Sequence, residues 1–240
     1  MKKLVQLPCL LLLFAGCKKW DENLKLATPV VQVAQPISDA APLCGAIKGT
    51  MLSGKTYTIG CVVVINPGDT LTLQPGVHIN VKNKSGIFVQ GVLISLGTKD
   101  QPNYITVDSL AALKNDVPNQ DPAKDPAFSG GWAGIYCASS CPMLILKWTH
   151  VEFGGNGLSI AQGAFVNQKA GTAFSILFQN PAGIFVMEDS WLYGGVDDPI
   201  RISNGKICFM RNTFEKGGIS GGDCLNCKGG TVGDMAYNLF

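Results

Sequence analysis

A repeat places the strongest limit on what this chain can fold into. Three segments, WTHVEFGG (148–155), DSWLYGG (189–195) and RNTFEKGG (211–218), each carry a strand-like run that ends in Gly-Gly. Gly194 and Gly217 lie 23 residues apart, and Gly154 and Gly194 lie 40 apart, roughly two steps of 20. Repeats at such periods belong to solenoids, whose units bury their apolar faces by stacking on neighbours. Alignment on the glycines puts Val151, Trp191 and Phe214 in one column that should stack inward. It puts Thr149, Asp189 and Asn212 in a second, read as a ladder of small polar groups at an inner turn. His150, Ser190 and Thr213 then face out, as do Glu152, Leu192 and Glu215.

The rest of the chain fits the same reading. Short β-rich runs recur at 61–65, 70–73, 78–82, 86–89, 92–96 and 104–107, each bounded by Gly, Pro, Asn or Asp. Alternation in TLTL (70–73) and HINVK (78–82) sends one face of each strand into a core. Only SLAALKN (109–115) has a helical character, and it is short. A charged fraction of 15% with 29 glycines disfavours a helical bundle or coiled coil. The formal charge is +2, and without Lys2 and Lys3 it is zero. A nucleic-acid partner needs a basic field to displace counterions, so none is expected.

The N-terminus reads MKKLVQLPCLLLLFAGC: two lysines, an apolar run too short to span a bilayer, then Ala15, Gly16 and Cys17. The small pair before a cysteine resembles the lipobox of bacterial lipoproteins, with Phe14 where leucine is commonest. That resemblance implies cleavage before Cys17, a diacylglyceryl group on its thiol and a mature protein tethered to the membrane. Residues 1–16 are then the signal peptide, 17–43 the lipidated cysteine and a flexible linker, and 44–240 the folded domain. KKWDEN after Cys17 resembles surface-export signals of Bacteroidota lipoproteins, so the expected location is the outer membrane, facing the periplasm or the cell surface.

Residues 66–107 carry a second resemblance. Pro67-Gly68, Thr70-Leu71, Pro75-Gly76, Gly97-Thr98 and the strand 102–107 look like the opening coils of right-handed parallel β-helix lipoproteins of Bacteroidota. GWAGI (131–135) is similar to a Trp-Gly-Gly-Ile element that follows in that family, with Ala133 for the commoner glycine. The resemblance covers most of 47–218 and implies an all-β, right-handed parallel β-helix. Its motifs are structural and carry little about activity. Residues 44–60 are read as an N-terminal cap, 108–130 as a protruding polar loop, and MAYNLF (235–240) as an end without a cap, which suggests a fragment.

Seven cysteines lie beyond Cys17. Cys137 with Cys141, Cys224 with Cys227, and Cys44 with Cys61 are candidate disulfides, although spacing does not fix connectivity, and Cys208 is left over. Zinc would need four converging ligands, and the two histidines, His78 and His150, lie far from the CxxC, so no metal or cofactor is expected. For catalysis, Asp197, Asp198 and Arg201 are similar to the acidic pair and basic residue of polygalacturonases, whose Gly-His-Gly and Asn-Thr-Asp elements are absent here. Trp132, Tyr136, Trp148, Trp191 and Tyr193 are candidate sugar platforms, and Tyr193, Glu188, His150 and Glu152 are the candidate ligand-binding residues. The resulting expectation is a lipid-anchored envelope protein with a non-catalytic role, binding a polysaccharide or an envelope protein. The alternatives are a polysaccharide-degrading lyase or glycoside hydrolase of the β-helix class, and a structural scaffold.

Overall fold

The computed structural model describes residues 35–115, 117, 120–156, 174–218 and 222–240. The expected signal peptide (1–16), Cys17 and the expected linker up to residue 34 lie outside the described residues. The chain is nearly all β. β1 (Leu43–Ala46), β2 (Gly49–Met51) and β3 (Thr56–Ile65) open it, followed by β4 (Thr70–Leu73), β5 (His78–Val81) and β6 (Gly86–Val89). Next come β7 (Val92–Leu96), β8 (Asn103–Thr106), β9 (Gly134–Cys137), β10 (Met143–Lys147), β11 (Thr149–Gly154) and β12 (Ile176–Phe178). The last are β13 (Ile184–Glu188), β14 (Trp191–Gly195), β15 (Ile200–Ser203), β16 (Lys206–Met210), β17 (Thr213–Gly217), β18 (Leu225–Lys228) and β19 (Val232–Ala236).

From β4 onward each strand pairs, in parallel, with the strand three places later. β4, β7, β10, β13, β16 and β19 follow one another in a seven-stranded sheet that begins at β2. β5, β8, β11, β14 and β17 form one arm of the larger sheet, and β6, β9, β12, β15 and β18 form the other. The ten-residue β3 joins the arms, pairing with β5 through Thr56–Ile59 and with β6 through Val63–Ile65. These curled parallel sheets are consistent with a parallel β-helix or solenoid.

In-register pairing stacks like residues in columns. Ile79, Ile105, Val151, Leu192 and Phe214 form one apolar column, and Ile87, Ile135, Ile176 and Ile200 form another. Nearly all of these side chains are fully buried. In the seven-stranded sheet Phe185 packs edge-on against Phe209, with ring centroids 4.8 Å apart.

Trp191 is not in the inward column. Pairing brings Gly154 opposite Gly195 and Gly195 opposite Gly217, so the middle repeat is displaced by one residue from an alignment on its glycines. Gly194 fills a left-handed slot taken by Phe153 (φ 59°) and Lys216 (φ 53°) in the adjacent strands. Leu192 therefore points inward, Trp191 points outward beside His150, and Ser190 rather than Asp189 joins the polar ladder.

That ladder is built from Asn103, Thr149, Ser190 and Asn212, all buried, with Asn238 at its end. The Ser190 hydroxyl accepts from the Thr149 amide at 3.1 Å, and the Asn212 carbonyl accepts from the Ser190 amide at 3.0 Å. Asn212 Nδ2 donates to the Met187 carbonyl at 2.8 Å, and Asn238 accepts from the Asn212 amide at 2.9 Å. Each rung thus satisfies backbone groups at the corner that leads into β8, β11, β14 and β17.

Cys44 and Cys61 form the disulfide proposed for them, with Cα atoms 5.0 Å apart across β1 and β3. Closing a loop of 17 residues is worth about 3 kcal/mol in the chain-entropy picture. The other two local pairs are thiols. Cys137 and Cys141 are buried and hydrogen-bonded to each other; burial pushes the Cys137 thiol well up, and the bond from Cys137 pulls Cys141 down. Cys224 and Cys227 flank extended β18 residues, which separates them by about 10 Å, beyond the roughly 7 Å a disulfide can bridge.

Asn212→Ala leaves the Ser190 amide buried without its partner and removes a second bond to the Met187 carbonyl. We expect it to lower unfolding free energy by about 1–3 kcal/mol in urea titrations. A loss below about 0.5 kcal/mol contradicts the ladder.

Candidate functional site

The outward face of β5, β8, β11, β14 and β17 carries one residue per strand in a single column: His78, Tyr104, His150, Trp191 and Thr213. His150 is sandwiched there. Its ring centroid lies 4.4 Å from that of Tyr104 at an interplanar angle of 17°, and 4.6 Å from that of Trp191 at 6°. His78 extends the row at 5.8 Å from Tyr104, and its Nε2 meets Asp108 Oδ1 at 2.7 Å. Parallel pairing in fixed register dictates the row, because side chains two residues apart on a strand share a face and paired positions share a column. Trp148 stands beside the row, its ring 6.1 Å from that of Trp191 and tilted by 43°.

The neighbouring outward column contains Thr106, Glu152, Tyr193 and Glu215. Here the described part of the 108–130 segment packs onto the sheet through Leu110, Ala111, Ala127 and Phe128. It comprises a short helix α1 (Asp108–Ala111) and two 3-10 turns, Pro122–Lys124 and Pro126–Phe128. Ala127 is fully buried against Phe153 and Tyr193, which together form a second small core. Gly194 makes the approach possible, since a Cβ there would collide with the Ala127 carbonyl oxygen.

Charge pairs pin the loop. Lys114 Nζ donates to Glu152 Oε1 at 2.8 Å and lies 4.0 Å from the Tyr193 ring centroid. Lys216 Nζ donates to Asp125 Oδ2 and to the Asn115 carbonyl, both at 2.7 Å. The Tyr193 hydroxyl donates to the same carbonyl at 3.3 Å. Glu152 also accepts from Thr106 Oγ1 at 3.0 Å, and His150 Nδ1 stands 3.6 Å from its Oε1. Burial opposes the charge on Glu152. The contacts from His150, Lys114 and Thr106 outweigh it and hold the carboxyl down at about 2. Burial, reinforced by the Glu152 charge, pushes Tyr104 up.

Of the residues read from sequence as ligand-binding, only His150 lies in the open column. Glu152 is outward on the strand but sealed under the loop. Tyr193 is 1% exposed beneath the same loop, not an outward platform beside Asp197 and Asp198. Glu188 lies around the corner on the seven-stranded sheet, paired with Lys147 at 2.8 Å. Asp198 is buried, and its carboxylate is saturated: Arg201 donates twice, at 3.1 and 2.6 Å, and the Asp223 amide and Asn226 Nδ2 donate at 2.9 and 2.8 Å. Burial raises its pKa, but those four bonds win and lower it. A carboxylate so committed anchors the corner beside β15. Trp132, in the GWAGI element, is buried and donates to the Glu152 carbonyl at 2.7 Å, so it is a core residue and not a platform.

Sequence reasoning missed His78 and Tyr104. The signal was a tripeptide of small polar, ring or Thr, and apolar residue: Asn103-Tyr104-Ile105, Thr149-His150-Val151, Ser190-Trp191-Leu192 and Asn212-Thr213-Phe214. No family model, curated protein or solved structure matches the chain.

Glu152 sets a pH dependence. Its folded pKa is about 2 against 4.5 unperturbed, so the charged form favours the folded state. That contribution, about 3 kcal/mol at most, is complete above pH ~4.5 and fades as pH falls toward ~2. Urea midpoints between pH 6 and pH 3, taken with Glu152→Gln, should show the variant less stable at pH 6 and the gap narrowing on acidification (roughly a Glu titration window). A gap that widens toward acid contradicts the assignment.

Proposed function

We propose that this chain is a right-handed parallel β-helix protein, anchored through a lipidated Cys17 to the outer membrane, that binds glycan without cleaving it. The ring column on the outward face of β5, β8, β11 and β14, flanked by Trp148, carries the reading. Half-buried rings beside hydrogen-bonding edges suit the amphipathic surface of a sugar, whose C–H face packs on an aromatic while its hydroxyls seek polar partners.

The backbone at Trp148 supports it. Trp148 adopts a left-handed conformation (φ 46°), as do Asp189 (φ 49°) and Arg211 (φ 57°) at the equivalent corners. That conformation disfavours a bulky side chain by about 1–2 kcal/mol, and glycine or asparagine would relieve the strain. A tryptophan kept there against its backbone preference points to a surface role. Hydrolysis of a glycosidic bond needs one carboxyl with a raised pKa to donate a proton. Glu152 and Asp198 are shifted the other way and tied to cations. The binding reading therefore fits the side chains better than a hydrolase.

Two outcomes follow. On a glycan array, Trp191→Ala should weaken the wild-type signal by about three- to tenfold. Trp148→Gly should weaken it similarly while leaving the melting temperature unchanged or higher; a signal untouched by both variants sinks the reading. Separately, Cys17→Ser expressed with the full signal should move the protein from the membrane to the soluble fraction and remove the lipid mass from its N-terminal peptide. Retention in the membrane would count against the anchor.

A further inference from the structure

Resting on the glycan reading, we infer that the ligand is a neutral, extended polysaccharide lying along the stacking direction of the strands, with about one sugar residue per strand from His78 to Thr213. Three observations lead there. The column is continuous over five strands, one side chain each, at the regular step of parallel pairing. The repeat of an extended pyranose chain is close to that step, so hydroxyls recur in phase with the edges of the rings. A peptide strand would instead seek the open backbone groups of a sheet edge, and this column lies on a face, where side chains are on offer.

The charge pattern selects the class of polymer. Four carboxylates bordering the column are paired within the protein, and Glu215, exposed beside Thr213, adds a further negative charge. Asp189 accepts from Arg211 Nε and Nη2, both at 2.7 Å. Asp108 meets His78 at 2.7 Å, Glu188 meets Lys147 at 2.8 Å, and Glu152 meets Lys114 at 2.8 Å. A uronate or sulfate entering here must break one of these pairs to gain a cation and leaves a carboxylate behind. A neutral sugar needs no such exchange. It takes hydrogen bonds from the polar edges of the column and packs on Trp148, whose plane departs by 43° from that of Trp191.

The test uses the full chain and isothermal titration with gluco-, xylo- and manno-oligosaccharides from dimer to hexamer, and with hexagalacturonate, each at low and high salt. The expected result is a neutral series whose affinity rises about tenfold or more from dimer to pentamer and is insensitive to salt. Trp191→Ala should weaken the pentamer by about three- to tenfold. Thr213→Tyr, which prolongs the row of rings, should tighten it. Tightest binding to hexagalacturonate, weakened by salt, overturns neutrality and leaves the glycan reading standing. Equal affinity for dimer and pentamer overturns the lengthwise placement. Binding to none of the sugars overturns both the inference and the reading beneath it.

Discussion

The buried polar ladder at one corner of the fold fixes the register on which everything else depends. Where the chain turns from the seven-stranded sheet into β11, β14 or β17, its backbone amides cannot all reach a neighbouring strand. Thr149, Ser190 and Asn212 stand in that gap and pass hydrogen bonds from one rung to the next. An unpaired buried amide is disfavoured by about 1–3 kcal/mol, and a shift of one residue would leave several. The same shift would turn every apolar column to solvent. Once the polar residue is locked inward, the residue after it must face outward. The ring column is therefore a geometric consequence of the ladder: Tyr104, His150 and Trp191 each follow a ladder member in sequence.

The loop over the neighbouring column shows how the fold treats the remainder of that face. Glu152 and Tyr193 are covered, and the covering is only partly apolar. Its small core of Ala127, Phe153 and Tyr193 is flanked by two lysines whose ammonium groups meet buried carboxylates. Buried ion pairs of this kind contribute more to a unique seating than to net stability, because desolvation offsets much of the attraction. The seating has a defined edge. On one side lie sealed, charge-matched side chains. On the other lies the row from His78 to Trp191, left half-buried.

Much of the architecture was legible in the sequence because it is written in local terms. Turn glycines and prolines bracketed β4, β6 and β7 at the right places, and the Cys44–Cys61 pair was legible in two cysteines spaced across the first rungs. Elsewhere the sequence signal was ambiguous for a physical reason. Gly-Gly looked like a fixed mark, but glycine fits both a strand position and a left-handed slot. Gly154 and Gly217 hold the strand position, whereas Gly194 holds the slot. That one-residue difference reversed the facing of Ser190, Trp191 and Leu192. The 108–130 segment read as an exposed loop because its prolines, aspartates and lysines are polar, while its docking depends on partners far away in the chain, Glu152 and Lys216. Cys224 and Cys227 looked like a local pair until the intervening residues proved to be extended.

The left-handed corner residues separate what the fold demands from what the surface adds. Trp148, Asp189 and Arg211 share a backbone conformation that suits glycine or asparagine best. Two of the three account for themselves, since Asp189 and Arg211 clasp each other across adjacent rungs with two bonds of 2.7 Å. That clasp secures one rung to the next with groups already partly solvated. Trp148 makes no such clasp; the ring beside it is another indole, tilted by 43° with centroids 6.1 Å apart. A chain optimised for stacking alone would place a smaller residue there, because the corner itself needs no ring. The surplus aromatic surface lies beside the accessible row, where an amphipathic ligand would meet both. It is this coincidence of strained backbone and half-buried ring, more than the composition of the face, that makes the corner the place to look for recognition.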